Sequence, residues 1–198
     1  GIPVILGGIE ASMRRLAHYD YWDDGVRRSV LLDAKADMII YGMGERQIVE
    51  VVQRLSRGET VDTITHVRGT VVCVKKENIP PDALWIPSFE QVQKSHESFN
   101  QAFALTYQQM SPAKAKAVVQ PHKDQHVLQN PPALPLTVKE LDHSFALPYQ
   151  RAWHPSYDAL GGIKGFETVR FSITALRGCP GECSFCGLGM HQGRIVQS

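Results

Sequence analysis

Two short apolar runs, each ending in glycine and followed by a helical pattern, limit most strictly what this chain can fold into. The first run is residues 3–6, before Gly7 and Gly8, and the second is residues 36–41, before Gly42. Runs this short and apolar are typical of strands that are buried on both faces of a parallel sheet. Their alternation with helices predicts an α/β fold built on a parallel sheet.

Each apolar run is followed by a predicted helix. Ser12 is expected to cap a helix over residues 13–18. The second helix, over residues 45–57, has apolar residues at helical spacing and ends at Gly58. These apolar positions are Ile48, Val49, Val52 and Leu55. With an extended, β-branched segment closing the region, we expect residues 1–75 to form a partial α/β domain.

Proline changes the pattern in the middle of the chain. The prolines there include Pro80, Pro81, Pro87, Pro112, Pro131, Pro132, Pro135, Pro148 and Pro155. They remove backbone donors and bias their neighbours away from helix. We predict that residues 76–165 form an irregular, partly helical connector that wraps a neighbouring domain. Within it, residues 95–110 are expected to be helical, and Thr137 with Glu140 forms a capping box for a helix over residues 138–142.

The composition excludes several classes of protein. The chain of 198 residues is 43% hydrophobic and 21% charged, and its formal net charge of +1 offers no field to steer nucleic acid or a membrane surface. No apolar run approaches the roughly 20 residues that span a bilayer. The first residues lack the features of a signal peptide, and no initiator methionine precedes them. We expect a cytoplasmic protein, of which this chain is an internal fragment.

Three of the four cysteines, Cys179, Cys183 and Cys186, stand close together near the end of the chain. A cluster this tight indicates metal binding rather than a framework of disulfides. Thiolates bind both iron–sulfur clusters and zinc, and three of them on a four-iron cluster leave one iron open for chemistry. Two alternatives stay open: a structural zinc site with His191 as the fourth ligand, and cysteines that bind no metal.

The residues around the cysteines favour the iron–sulfur interpretation. Residues 168–174 alternate as in a β-strand, and this predicted strand runs directly into the loop. The sequence Arg-Gly-Cys-x-x-x-Cys-x-Phe-Cys, which begins at Arg177, resembles the cluster loop of radical S-adenosylmethionine (SAM) enzymes. The aromatic residue before the third cysteine, Phe185, makes the resemblance more specific.

The chain also resembles a narrower family, the YgiQ-type radical SAM proteins (UPF0313), whose members are much longer. The matching segments are residues 3–12, 17–22, 26–31, 35–38, 44–46, 130–133, 145–149 and 193–198. The resemblance extends over essentially the whole chain.

The resemblance implies a cofactor and a reaction. Cys179, Cys183 and Cys186 would each bind one iron of a [4Fe–4S] cluster whose open iron chelates SAM, and Phe185 would lie beside the adenine. Reductive cleavage of SAM would give methionine and a 5′-deoxyadenosyl radical, which abstracts hydrogen from an unknown substrate. A flavodoxin or a ferredoxin would supply the electron.

The resemblance also implies a fold. The first part would be the later half of a Rossmann-like, cobalamin-binding-type sheet. Residues 166–198 would hold the first strand and the cluster loop of a partial (β/α) barrel. Cobalamin itself is possible but has no support here, because the histidine-bearing motif that ligates it is not in this sequence.

Several other features allow both a functional and a plain structural interpretation. The glycines after the two apolar runs either admit a ligand to the ends of the strands or form tight turns. The aromatic and acidic residues 18–24 either line a pocket or a domain interface, or form a solvated loop. Four arginines are expected to pair with these aspartates or to be solvated rather than to bind an anion: Arg14, Arg15, Arg27 and Arg28.

Three further residues lie in or near predicted strands or the loop. Cys73 is expected to be a small core residue. Arg177 and Arg194 flank the cysteine loop, where they either balance the negative charge of a cluster or are simply solvated.

Two expectations concern this chain alone. Because the barrel would be incomplete, we expect no SAM cleavage by the 198-residue chain. The predicted strand at residues 168–174 would also leave an open edge, which invites self-association with another chain.

Overall fold

The computed structural model describes all 198 residues, which form two compact units. One unit comprises residues 1–135 with 178–195, and the other comprises residues 136–177 with 196–198. The strands are β1 (Ile5–Leu6), β2 (His18–Asp20), β3 (Gly25–Arg27), β4 (Met38–Ile40), β5 (Thr70–Val74), β6 (Leu84–Trp85), β7 (Val118–His122) and β8 (Gln125–Gln129). The α-helices are α1 (Gly8–Met13), α2 (Val30–Asp33), α3 (Glu45–Ser56), α4 (Phe89–Lys94), α5 (His96–Gln108), α6 (Val138–Phe145) and α7 (Leu188–Gln192).

The larger unit is built on a six-stranded sheet in the order β1-β4-β5-β8-β7-β6. The pairs β1–β4 and β6–β7 are parallel, whereas β4–β5, β5–β8 and β7–β8 are antiparallel. Strands β2 and β3 form a separate antiparallel hairpin. The α/β fold class is confirmed, but the prediction of a parallel sheet is wrong for three of the five neighbouring pairs.

A tight hairpin explains part of this difference. Strands β7 and β8 are joined by Lys123 and Asp124 alone, and so short a connection permits only antiparallel pairing. Lys123 has φ 53°, the left-handed conformation that two-residue hairpins favour. The predicted irregular connector is therefore wrong for residues 84–129, which supply three strands of the sheet. Pro121 within β7 conceals the strand, because proline usually argues against one.

The sheet is buried on both faces. Neighbouring residues of β4 point to opposite sides, so Met38 and Ile40 belong to one apolar cluster and Ile39 to the other. The same alternation separates Val71 from Val72 in β5. Each such side chain contributes about 1.5–3 kcal/mol of burial free energy. These contacts fix the strand ends, and with them the glycine turns.

Three of the four predicted helices are confirmed. Helix α3 and helix α5 lie where they are predicted, and Ser95 caps α5 by accepting a hydrogen bond from the Ser98 amide. The capping box of Thr137 and Glu140 opens α6, which extends to Phe145. Helix α1, however, begins directly after Gly7, so the predicted helix over residues 13–18 is wrong. No helix is both long and apolar enough to cross a membrane.

The smaller unit consists of α6 and two 3₁₀ helices, Pro155–Leu160 and Lys164–Thr168. Residues 168–174 do not form the predicted strand, and Phe171 and Ile173 are 74% and 92% exposed. A strand needs a neighbour to pair its backbone groups. This unit offers only an isolated antiparallel bridge between Arg177 and Gln197. The open edge predicted at residues 168–174 therefore has no structural basis in this chain.

Candidate active site at the cysteine loop

The cysteines lie on the loop that precedes α7, in the larger unit. The Cys179 amide donates to the Gly193 carbonyl at 3.0 Å, and the Gly178 amide donates to Gln192 Oε1 at 3.0 Å. The Cys186 amide donates to the Cys183 carbonyl at 3.0 Å, which closes a tight turn. The loop is thus tied to the end of α7 at its base.

The sulfur atoms are only partly gathered. A β-carbon at Gly181 would lie 3.3 Å from Cys179 Sγ and 3.8 Å from Cys183 Sγ, so both sulfurs lie beside the space that this glycine leaves free. Cys179 is half-buried, whereas Cys183 and Cys186 are exposed. No three His, Cys, Asp or Glu side chains are placed to hold a metal ion. The structure therefore brings two predicted ligands near one another and does not bring in the third.

The donor set nevertheless fits an iron–sulfur cluster. All three candidate ligands are cysteines on one loop, and soft thiolates are what such clusters require. Glycine at position 181 keeps the space between two of the sulfurs free of a side chain. Phe185 is 90% exposed, so its ring is available to contact a ligand.

His191 is held by the body of the larger unit. Its Nδ1 lies 2.8 Å from Ser12 Oγ, which also lies 2.9 Å from the Gly8 carbonyl and accepts a hydrogen bond from the Gly42 amide at 3.0 Å. Ser12 is completely buried. Burial, and secondarily the nearby Arg15 cation, lower the pKa of His191. His191 thus joins no ligand group with the cysteines.

The close packing of α7 against the turn after β4 and against α1 accounts for glycine at positions 42 and 187. A β-carbon at Gly42 would lie 3.3 Å from the His191 carbonyl, and Gly42 has φ +76°. A β-carbon at Gly187 would lie 3.2 Å from Met13 Sδ. Gly42 therefore serves both the turn after β4 and the packing of α7.

A shallow cavity of about 240 Å³ lies at the carboxyl ends of β1 and β4. Its walls include the glycines of both turns: Gly7, Gly8, Gly42 and Gly44. Ligands in open α/β sheets bind at such strand ends. The turn interpretation and the ligand interpretation of these glycines are thus compatible.

Arg194 anchors the cysteine loop electrostatically. Its guanidinium pairs with Glu182, which stands between the first two cysteines, and lies 4.3 Å from the centroid of the Tyr107 ring. The backbone of Arg177 pairs with Gln197 in both directions at 2.9 Å within the smaller unit. Arg194 therefore has a structural role in the loop, whatever charge it balances.

Two of the four arginines pair with the aspartates of residues 18–24, since Arg14 lies 3.5 Å from Asp20 and Arg27 contacts Asp20 and Asp23. Arg28 pairs instead with Asp33. Arg15 is different, since it is only 3% exposed and has no carboxylate partner.

The partners of Arg15 are neutral. Its Nε donates to Gln129 Oε1 at 2.7 Å, one terminal nitrogen donates to the Ser12 carbonyl, and the guanidinium lies 4.7 Å from the centroid of the Tyr41 ring. Burial lowers the pKa of Arg15 and raises the pKa of Tyr41. The sequence gives no signal that distinguishes this arginine from its neighbour.

The segment of residues 18–24 is a hairpin rather than a plain loop. Tyr21 and Trp22, at its tip, are 79% and 86% exposed, and the Tyr19 hydroxyl donates to Asp24 Oδ1 at 2.6 Å. The core placement predicted for Cys73 is wrong, because Cys73 lies exposed on β5 between the buried Val72 and Val74.

The comparison with known families now identifies the class of protein. The family model described as the radical SAM N-terminal region matches residues 1–172, so the chain belongs to that family.

The curated relatives are UPF0313 proteins. One from Clostridium botulinum (strain ATCC 19397 / Type A) is 50% identical over 196 residues, which is 99% of this chain and 30% of that protein. One from Methanocella arvoryzae is 50% identical over 197 residues and 33% of its length, and one from Geobacter sulfurreducens is 48% identical over 198 residues and 32% of its length. Both matches cover 100% of this chain. The resemblance to the UPF0313 family is confirmed, and no solved structure matches.

The chain spans about a third of the length of the curated relatives that it matches. The family model ends at residue 172, before the cysteine loop, whereas the match to the Geobacter protein includes the loop.

Proposed function

We propose that this protein is part of a radical SAM enzyme in which Cys179, Cys183 and Cys186 hold a [4Fe–4S] cluster. The observation that carries the proposal is the Cys-x-x-x-Cys-x-x-Cys loop in a chain that belongs to the radical SAM N-terminal family. When bound, such a cluster supplies the electron that cleaves SAM to a 5′-deoxyadenosyl radical able to abstract hydrogen from a substrate. The residues of the site do not identify the substrate.

The chain's own residues support the proposal through the shape of the loop. The base of the loop is fixed by the hydrogen bonds of Cys179 and Gly178. Cys183 and Cys186 lie on an exposed turn, so their side chains can change rotamer without disturbing the core. Three thiolates leave one iron of a four-iron cluster without a protein ligand, which is the open position that catalysis needs.

Further parts of the proposal concern the surroundings of the site. Phe185 would lie against the adenine of SAM, and its 90% exposure leaves its ring free to do so. A flavodoxin or ferredoxin would donate the electron, in the reducing cytoplasm that free thiols require.

The proposed fold of the whole protein is a Rossmann-like sheet of the cobalamin-binding type, followed by a partial (β/α) barrel. The parallel β1–β4 pair with glycine turns at its carboxyl end supports the first part. This chain would contribute the cluster loop to the second part. Cobalamin is not part of the proposal.

The zinc alternative finds less support, because the family model that matches this chain is that of the radical SAM N-terminal region. Because its Nδ1 is bonded to Ser12, His191 could ligate zinc only through Nε2.

The test is anaerobic iron and sulfide reconstitution of the full-length protein, followed by incubation with SAM and dithionite. We expect four irons per chain, the visible absorbance of an iron–sulfur cluster, and 5′-deoxyadenosine as a product. Replacing Cys179, Cys183 and Cys186 together by alanine should remove all three signals, while the matched Cys73→Ala control should retain them. A full-length protein that neither takes up iron nor cleaves SAM would refute the proposal.

A further inference from the structure

Two of the three loop cysteines, Cys183 and Cys186, form a Cys-x-x-Cys pair across a single turn. The Cys186 amide donates to the Cys183 carbonyl at 3.0 Å, and this hydrogen bond closes a four-residue β-turn. The α-carbons at the two ends of such a turn lie within about 7 Å of one another. Disulfides join α-carbons that are about 4.4–6.8 Å apart. The backbone of this turn therefore places the two cysteines about as far apart as a disulfide requires.

The turn is open to solvent. Cys183, Cys186 and both residues between them are exposed, and all the cysteines of the chain are free thiols. A peptide-sized disulfide such as oxidised glutathione can therefore reach either thiol of the turn. A cysteine side chain has one heavy-atom rotamer angle, so turning the two sulfurs toward each other requires no rearrangement of the core.

Cys179 is a poorer partner for Cys183. No backbone hydrogen bond joins the two residues, and the Cys179 amide donates outside the segment between them. Within that segment, Pro180 restricts its own φ to about −65°, and Glu182 is held in an ion pair. A bridge from Cys179 to Cys183 would have to close the space at Gly181 that both sulfurs border. Because the Cys183–Cys186 turn is already closed, its bridge needs the smaller change in backbone structure.

We propose that Cys183 and Cys186 form a reversible disulfide by exchange with a small disulfide of the glutathione type, and that this bridge withholds both cysteines from a cluster. One cysteine sulfur attacks oxidised glutathione, which forms a mixed disulfide and releases one reduced glutathione. The other cysteine sulfur then attacks the mixed disulfide, which forms the bridge and releases the second reduced glutathione. Two electrons and two protons thus pass from the protein thiols to glutathione. A dithiol reductant reverses both steps.

The effect on a cluster rests on the proposed function, whereas the disulfide itself does not. The bridge removes two of the three thiolates proposed to hold four irons, and one thiolate is too few to hold them. The base of the loop is unaffected, since its hydrogen bonds belong to Gly178 and Cys179. The loop therefore changes between an open dithiol and a closed disulfide while the larger unit stays folded.

The first experiment counts free thiols in the 198-residue chain carrying Cys73→Ala, so that only the loop cysteines react. The chain is incubated with oxidised glutathione, alkylated with N-ethylmaleimide and measured by intact mass spectrometry. We expect the alkylated thiols to fall from three to one per chain, with the loss of two hydrogens, and dithiothreitol to restore all three. A chain that keeps three thiols, or that retains glutathione on Cys183 or Cys186, would overturn the proposal.

Single variants in the same background assign the bridge to its two cysteines. Cys179→Ser is the matched control and should form the bridge as before. Cys183→Ser and Cys186→Ser should each form no bridge and should carry a lasting glutathione adduct on the cysteine that remains in the turn. All three positions lie on the loop rather than in the core, so the variants should fold. A bridge that survives Cys186→Ser would show that Cys179 is the partner and would contradict the assignment.

The second experiment distinguishes a failure of this inference from a failure of the proposed function. Reduced and glutathione-oxidised full-length protein are each mixed anaerobically with a scaffold protein that carries a preformed [4Fe–4S] cluster, without free sulfide or added thiol, because either would reduce the bridge. We expect the oxidised protein to take up at least about tenfold less iron than the reduced protein. Equal uptake would overturn the effect of the bridge on the cluster. No uptake by either form would refute the proposed function and this effect with it, while a bridge found in the first experiment would stand.

Discussion

Replacing Ser12 by alanine tests whether the cysteine loop is anchored to the sheet through a single hydroxyl. Ser12 Oγ is completely buried and lies within 3.0 Å of Gly8 O, Gly42 N and His191 Nδ1. The variant leaves the Gly42 amide without its acceptor, which costs about 1–3 kcal/mol, and removes the bond to His191, worth about 0.5–1.5 kcal/mol. The Gly8 carbonyl loses little, because it also accepts within α1. We therefore expect the free energy of unfolding to fall by about 2–3 kcal/mol.

Urea unfolding followed by circular dichroism measures this loss. The control is Ser56→Ala, which removes an exposed hydroxyl bonded to the Gln53 carbonyl at 2.8 Å and should change stability by less than about 0.5 kcal/mol. A double-mutant cycle of Ser12→Ala with His191→Phe isolates the contact between α1 and α7, with an expected coupling of about 0.5–1.5 kcal/mol. A loss no greater than that of the control, or a coupling near zero, would refute the reasoning.

Three other outcomes can be tested. Gly42→Ala should lower the free energy of unfolding by more than about 1 kcal/mol, because the residue has φ +76° and its β-carbon would lie 3.3 Å from His191 O. Urea unfolding measures the loss, and the control is Gly165→Ala, at a position where a β-carbon meets no other atom. Burial lowers the pKa of His18, His122 and His191 in the folded chain, so the unfolded chain binds more protons as the pH falls through about 6.5. The free energy of unfolding should therefore fall as the pH drops from about 6.5 towards the lowered pKa values of the folded chain. Urea midpoints that do not change over this range would contradict the prediction. The 198-residue chain should produce no 5′-deoxyadenosine from SAM under reducing conditions, even after iron reconstitution, and turnover by this chain would show that its cysteine loop suffices.

The first part of the sheet could be predicted because its signals are local. Strand β4 and helix α3 follow directly from an apolar run, a glycine turn and a helical repeat. The capping boxes are equally local, since each joins residues three positions apart. Such features need no knowledge of distant contacts.

The rest depends on pairings that are distant in sequence. Strand β5 lies between β4 and β8, and β8 follows it by about 50 positions with two helices between them. At residues 168–174 a strand is predicted and none forms, because an alternating pattern makes a strand only where a neighbour supplies hydrogen bonds. In the candidate site, the cysteine spacing is visible in the sequence. The contact of Ser12 with His191 is not, since 179 positions separate the two residues.

The anchoring of the loop bears directly on how it could bind a cluster. The hydrogen bonds of the Cys179 and Gly178 amides fix the base of the loop, and the ion pair of Arg194 with Glu182 fixes its far side. Ser12 holds α7 through its hydrogen bond with His191. Cysteine side chains have a single heavy-atom rotamer angle, so gathering the exposed thiols costs little entropy beyond local adjustment of the turn. Most of the ordering cost is thus met when the larger unit folds. Cluster affinity should therefore depend on Ser12 and Arg194, although neither residue supplies a ligand atom.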